Sequence, residues 1–385
     1  METRENKLYF GNISADDLVA THGSPLYVYE ASKIRSAYHA ITDSISYKPM
    51  HVHFACKANT HDGVMRILHG EGARIEAVSP GEVERAFTAG FKPEEIIFTC
   101  SNLTLAELQW LANRNIRVNL DSLGQVEKWG RIKPGSEIGV RLNQGIGAGH
   151  HDHVITGGPD SKFGIDIAQL DELHAAAAKN NLKIIGLHQH IGSNILDADI
   201  FMRAIDTLLE TAHQFPALQY IDCGGGFGVP YQPTEIALDM KQLGKRIDAS
   251  LENFVASYGS RPEIIFESGR YLVCESGTLL VTVTDIKKTP YKIFVGVNSG
   301  FNHLVRPAMY GSYHPIVNAS QVSGGPETVV SIAGNICESG DLFARNRSMP
   351  PIQEGNILAI LNAGAYGFSM ASEYNSRPKP KEILL

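Results

Sequence analysis

The sequence predicts an α/β protein: a (β/α)8 barrel of the TIM type followed by a C-terminal β-sandwich or β-barrel domain. Two observations carry that expectation. Eight short strand patterns, most rich in Ile or Val, alternate with helix patterns from His51 to Ser268, and each but the last is followed by a helix. After Arg270 the texture changes to β-rich segments divided by turns, with no convincing helix of three turns. The expected division is an N-terminal segment over residues 1–30 that pairs with the β domain, a barrel over 31–270 and the β domain over 271–385.

The elements follow in order. PLYVY at Pro25 is a short apolar strand, and Ile34, Tyr38, Ile41 and Ile45 recur at helical spacing. The first barrel strand is HVHFACK, with Val52, Phe54 and Cys56 alternating against His51, His53 and Ala55 and ending at Lys57. ARIEAV at Ala73 precedes a helix from Pro80, a residue suited to a first helical turn. EIIFT at Glu95, IRVNLD at Ile116 and EIGVRLN at Glu137 continue the series, with helices from Thr104 and up to Trp129. A loop rich in glycine and histidine spans Gln144–Gly164. Then come a helix at Ala168, LKIIGLHQH at Leu182, a helix at Ala198, QYIDC at Gln219, a helix at Thr234 and EIIFES at Glu263. The β-rich segments are GTLLVTVTDIKK, YKIFVGVN, TVVSIAG and NILAILNAG.

At 385 residues the chain exceeds one ordinary domain but fits a barrel of about 250 residues plus a smaller partner. A hydrophobic content of 43% supports a well-buried core. The net charge of −7 argues against nucleic acid or an anionic membrane as the main partner. Five cysteines at irregular positions (Cys56, Cys100, Cys223, Cys274, Cys337) read as reduced intracellular thiols, not a disulfide framework. METRENKLYF lacks the apolar core of a signal peptide, and no run of eighteen apolar residues occurs. The expectation is a cytoplasmic protein without a membrane span.

In a barrel the chemistry gathers at the C-terminal ends of the strands. Lys57 stands there on strand one, Glu76 on strand two, Arg141 near the end of strand five and His190 after strand six. Gly224, Gly225 and Gly226 follow strand seven, and Glu267 ends strand eight with Arg270 three residues on. Taken singly, each has an ordinary reading: a solvated lysine, a hydrogen-bonded core histidine, a tight turn, a surface ion pair. Together they describe one site. A partly desolvated lysine loses its proton readily and forms a Schiff base with an aldehyde. A glycine turn lets backbone N–H groups approach a phosphate. A carboxylate facing a pyridine nitrogen holds it protonated and makes the ring an electron sink. A flat imidazole can lie on that ring. This is the pattern of a pyridoxal phosphate site, with no metal.

The residues then resemble a known family. FACKANT, SKFGI at Ser161, HIGSN, GGGFGVPY, LVRPAMYGSYHP, ICESGDLF at Ile336 and GAYGFSMASEYNSRPKPKEILL at Gly364 are similar to the motifs of the alanine-racemase-fold pyridoxal phosphate decarboxylases, most closely the diaminopimelate decarboxylases. The resemblance covers nearly the whole chain. It implies that Lys57 is the Schiff-base lysine and His190 the ring-stacking residue, with Ser193 and Gly224–Gly226 near the phosphate. Glu267 would be the pyridinium partner, Arg141 a further cofactor contact, and Arg270 a contact of phosphate or substrate. Arg306 and Tyr310 would bind substrate, Cys337 would protonate the carbanion, Glu338 would contact substrate, and Tyr366 would touch cofactor and substrate. In the family, the cysteine and glutamate at Cys337 and Glu338 reach the other subunit's site, so a homodimer with shared sites is implied. The chain departs from the usual pattern at Ser268, where proline is common, and at Glu76, where aspartate is more usual; aspartates are also missing near Asn298 and His303. A second CESG begins at Cys274 but lacks the following aspartate.

The implied reaction is decarboxylation of meso-2,6-diaminopimelate to L-lysine, because a zwitterionic distal end needs both a cation and an anion, and Arg306 and Glu338 offer both. The loop from His150 to Ile165 is the expected lid. Rivals are a decarboxylase of ornithine, lysine or arginine, a racemase on the same fold, and an inactive cofactor-binding homologue. A metal-dependent hydrolase built on His51/His53, His188/His190 or His150/His151/His153 is a further rival, but no cluster shows an obvious completing carboxylate.

Overall fold

The computed structural model describes residues 1–147, 158 and 161–385. The chain divides into two compact units. One comprises Arg35–Val229 with Ile236–Tyr271; the other comprises Met1–Ile34, Pro230–Glu235 and Leu272–Leu385.

The first unit is a closed barrel of eight parallel strands: Met50–Ala55, Arg74–Ala77, Ile96–Thr99, Arg117–Leu120, Glu137–Asn143, Lys183–His188, Tyr220–Asp222 and Glu263–Ser268. Strand eight pairs with strand one, which closes the circle. The strands are short, nearly continuous apolar runs because helices cover their outer faces. Helix starts are written in the sequence. Ser79 accepts from the Glu82 N–H with Pro80 inside the first turn, and Thr104 and Glu107 form a reciprocal capping box.

The barrel interior is solid. Ile97, Ile185, Tyr220 and Ile265 form its apolar layer. The Tyr220 hydroxyl donates to Asn119 Oδ1 at 2.7 Å, and Asn119 Nδ2 donates to Thr99 at 3.0 Å. Room for that ring comes from two glycines. A Cβ at Gly139 would stand 2.0 Å from the Tyr220 hydroxyl oxygen, and one at Gly186 would stand 1.9 Å from the ring. Nearer the N-terminal mouth, Arg74 and Arg117 meet Glu263 at 2.6 and 3.4 Å.

Three details depart from the sequence reading. Strand one ends at Ala55, and Cys56–Ala58 is a 3-10 turn that carries Lys57. The helix expected from Thr234 begins at Met240, where Asp239 caps it by accepting from the Gln242 N–H. Strand eight is followed by a short helix, Arg270–Val273. The expected lid lies outside the described residues except for Gly158 and Ser161–Ile165, as do His150, His151 and His153.

The second unit is a separate mixed-sheet domain, with an eight-stranded sheet and a three-stranded one formed by Glu2–Arg4, Lys7–Phe10 and Ile13–Ser14. Its spine is the long strand Gly277–Lys288, which pairs with Ile357–Ile360, with Ile293–Val297 and with the N-terminal strand Leu26–Tyr29. Lys381–Leu384 adds to Leu26–Tyr29 in parallel. The core includes Leu8, Phe10, Leu18, Leu26, Val28, Leu280, Ile357 and Ala359. Among the described residues no helix is long and apolar enough to cross a membrane.

Candidate active site

The barrel brings Lys57, Glu76, Arg141, His190, Gly224–Gly226, Glu267 and Arg270 to the end the sequence predicts, and several are in direct contact. The Lys57 amine donates to Glu76 at the end of strand two, and the lysine is half-buried while Glu76 is enclosed. Burial pushes the Glu76 carboxyl up to about 7, against the pull of Lys57 and with the help of the Glu267 charge.

Glu267 ends strand eight, adjoining the strand that leads to Lys57. His188 Nε2 meets its Oε2 at 3.0 Å, with both groups buried. Burial alone would raise the Glu267 carboxyl. The charge and hydrogen bond of His188, joined by Lys57, outweigh it and hold Glu267 below the usual carboxylate range. Asp222, at the end of strand seven, goes the other way: burial and the Glu267 charge push it well above that range. Two enclosed carboxyls side by side thus take opposite protonation states.

His190 is partly exposed. The Gly225 N–H donates to its Nδ1 at 3.1 Å, so the neutral ring carries its proton on Nε2. Burial first, then Arg141 and Lys57, lower its pKa to about 3, so the ring is neutral at physiological pH. The glycine turn is a steric necessity. Gly224 has φ +69, and a Cβ there would lie 2.0 Å from Gln189 O; one at Gly225 would lie 2.0 Å from Glu267 O. Arg270, buried, points its Nη2 at Ser193 Oγ, 3.0 Å away. Arg141 is also buried, 3.4 Å from Asp121 and 4.6 Å above the Phe163 ring.

A pyridine ring fits this set. Among the described residues Glu267 Oε1 is buried with no hydrogen bond of good geometry, while His188 restrains the other oxygen and Asp222 lies close by. An ionised carboxylate with one oxygen unclaimed demands an N–H. Ser193, Arg270 and the glycine turn would hold the phosphate, and Lys57 the aldehyde carbon.

The remaining candidates belong to the second unit. Arg306 opens the short helix Arg306–Tyr310, is 2% exposed, donates to Ser312 at 3.3 Å and lies over the rings of Tyr231 and Tyr310, 5.1 and 5.9 Å away. Tyr366 sits in a tight Gly-Ala-Tyr-Gly turn at φ +56, a costly conformation for an aromatic residue. Cys337 and Glu338 are exposed on a loop anchored by Asp341, whose carboxylate accepts the N–H groups of Ile336 and Phe301, each at 2.7 Å. Of the two CESG motifs, the one at Cys274 has its cysteine fully buried, with the thiol 3.0 Å from the Tyr231 hydroxyl. Two of the departures have structural partners: Asn298 caps the Thr282 N–H, and His303 Nδ1 meets Ser299.

Sequence reasoning passed over His188 as a partner of Glu267 and passed over Asp222 altogether. It also found no carboxylate to complete a histidine cluster, yet His188, Asp222 and Glu267 bring their donor atoms within 4.8 Å of one another. The signal was parity: Asp222 is two residues past the inward Tyr220, and His188 is paired with Asp222 in register.

Residues 31–274 match the family described as "Pyridoxal-dependent decarboxylase, pyridoxal binding domain". The chain is 45% identical to the diaminopimelate decarboxylase of Methanothermobacter thermautotrophicus, over 98% of this chain and 90% of that protein. It is 34% identical to the Escherichia coli enzyme of that name, over 97% and 92%. The crystal structure of Helicobacter pylori diaminopimelate decarboxylase complexed with L-lysine superposes with a TM-score of 0.89 at 31% identity, over 96% and 93% of the two chains. Built on that barrel and matched along nearly its full length, the chain belongs to the pyridoxal-dependent decarboxylases and, within them, to the diaminopimelate decarboxylase family.

Proposed function

We propose that this protein decarboxylates meso-2,6-diaminopimelate to L-lysine, the last step of lysine biosynthesis, as a cytoplasmic homodimer with shared active sites. The observation that carries the reading is Glu267: an enclosed carboxylate, held ionised by His188, with one oxygen unclaimed beside the strand that delivers Lys57. A racemase of this fold sets an arginine at that place, which limits electron withdrawal; Glu267 does the opposite.

Pyridoxal phosphate, when bound, supplies an aldehyde for the substrate amine and a sink for the electron pair left as the Cα–carboxylate bond breaks. Lys57 would hold the aldehyde between turnovers, and Glu267 would keep a proton on the ring nitrogen. His190, a neutral imidazole, would suit a protonated pyridine, because a second cation beside it would be repelled. Ser193, Arg270 and the glycine turn would hold the phosphate and Arg141 would be a further contact; the resemblance adds Tyr366. At the distal end of the substrate, Arg306 and Tyr310 take the carboxylate and Glu338 takes the ammonium. The Cys337 thiol gives its proton to the carbon that has lost carbon dioxide, so one C–H bond replaces one C–C bond and the thiolate is recharged from solvent. Cys337 and Glu338 serve the neighbouring subunit's site. Five free thiols support a reducing compartment.

The test is incubation of the purified protein with meso-diaminopimelate while lysine and carbon dioxide are followed. Wild type produces both in equal amounts, and borohydride fixes the cofactor on Lys57. Arg306→Lys keeps the charge but loses the planar fork, and kcat/KM falls about tenfold to a hundredfold. A value within threefold of wild type removes Arg306 from the substrate site.

A further inference from the structure

Tyr374 and Asn375, consecutive residues near the C-terminus, touch the two consecutive residues Glu338 and Cys337. The Tyr374 hydroxyl donates to Glu338 Oε1 at 2.9 Å, and Asn375 Oδ1 accepts from the Cys337 N–H at 3.0 Å. Each grip is itself fixed. The Tyr374 ring stacks on Phe301 with centroids 5.8 Å apart and planes 27° from parallel, and the Phe301 N–H is held by the same Asp341 that anchors the loop. Asn375 has φ +58 and ψ +24, a left-handed conformation that asparagine tolerates better than other side chains, and from there it reaches Cys337.

We propose that Tyr374 and Asn375 are positioning residues for the catalytic loop: Tyr374 holds the Glu338 carboxylate in its substrate-binding rotamer, and Asn375 fixes the Cys337 backbone and with it the direction of the thiol. The proposal rests on the roles of Cys337 and Glu338 given above. Glu338 and Cys337 are both exposed, so left to themselves they would sample many rotamers and lose that freedom on each turnover. A phenol and an amide that hold them beforehand lower that cost. The two grips act on different events. Glu338 contacts substrate, so Tyr374 governs binding; Cys337 delivers a proton, so Asn375 governs the chemical step.

The experiment uses the holoenzyme with meso-diaminopimelate and three variants. Tyr374→Phe removes one oxygen and raises KM about tenfold, with kcat within about threefold of wild type. Asn375→Gly keeps the left-handed backbone and removes the acceptor; kcat falls about tenfold with KM within about threefold. Asn375→Asp restores kcat, because its carboxylate accepts the same N–H. Thermal unfolding of all three stays within a few degrees of wild type. A readout independent of turnover is alkylation: Cys337 is the exposed thiol among the five, and its peptide is modified faster in Asn375→Gly than in wild type. The proposal is overturned if the variants match wild type within twofold, if kcat and KM shift together in both, or if alkylation of Cys337 is unchanged. Failure of wild type itself to release lysine overturns the proposed function instead, and the alkylation arm still judges the grip on Cys337.

Discussion

At the scale of single residues, the barrel mouth sets like groups to unlike states. Glu76, Asp222 and Glu267 are three enclosed carboxyls, and among the described residues only Glu267 is hydrogen-bonded to a histidine. Glu76 has a measurable consequence. Its pKa rises from 4.5 to about 7 on folding, so between those values the unfolded chain binds fewer protons than the native one. The stability this group contributes is therefore full below pH 4.5 and is lost as pH rises to 7, by on the order of 3 kcal/mol. In the cofactor-free protein, the Tm of wild type relative to Glu76→Gln is expected to fall across pH 4.5–7 and to level off above it; a flat difference refutes the assignment. Sequence alone made Glu267 legible, because a strand-end carboxylate announces itself by position. His188 as its partner and the raised Asp222 stayed hidden, since their meaning depends on three strands meeting in register.

Among elements, the barrel strands were readable because burial on both faces makes most of them rich in Ile and Val. Leu342–Met349 was not. Arg345 and Arg347 interrupt its alternation, Asn346 turns left-handed at φ +50, and the register with Thr328–Ala333 shifts there. A bulge erases the period-two signal from which a strand is inferred. The helix start misplaced at Thr234 has a similar cause: Glu235 turns back to accept the N–H groups of Tyr231 and Gln232, which makes a local turn where helical spacing was expected. The two glycines that face Tyr220 supply a sharper test. Gly186→Ala puts a methyl into the ring and is expected to destabilise the barrel by about 3 kcal/mol or more. Tyr220→Leu in the same chain recovers part of that loss, read by urea unfolding. If the double variant is no better than the single one, the ring is not the obstacle.

For the whole molecule, the prediction concerns assembly. A homodimer with shared sites has about twice the 42.0 kDa chain mass in sedimentation. Lys57→Ala and Cys337→Ala proteins are each expected to be nearly inactive. When they are unfolded together and reassembled, half the dimers are mixed and carry one intact site each, so about a quarter of the wild-type activity returns. No recovery means that each chain completes its own site. The division into two units was legible in outline, because parallel βα repeats and turn-rich β segments differ in texture. The return of residues 230–235 to the second unit was not, since nothing in Pro230–Glu235 breaks the barrel's rhythm of strand and helix.

Tyr220, wedged across the barrel axis above the Arg74–Glu263–Arg117 layer, leaves the cylinder with one working doorway. With the reaction at the strand ends as proposed, carbon dioxide and the finished amino acid would leave by the rim through which the next substrate arrives. Departure and entry therefore compete for the same passage, and an excess of lysine should slow turnover by occupying it.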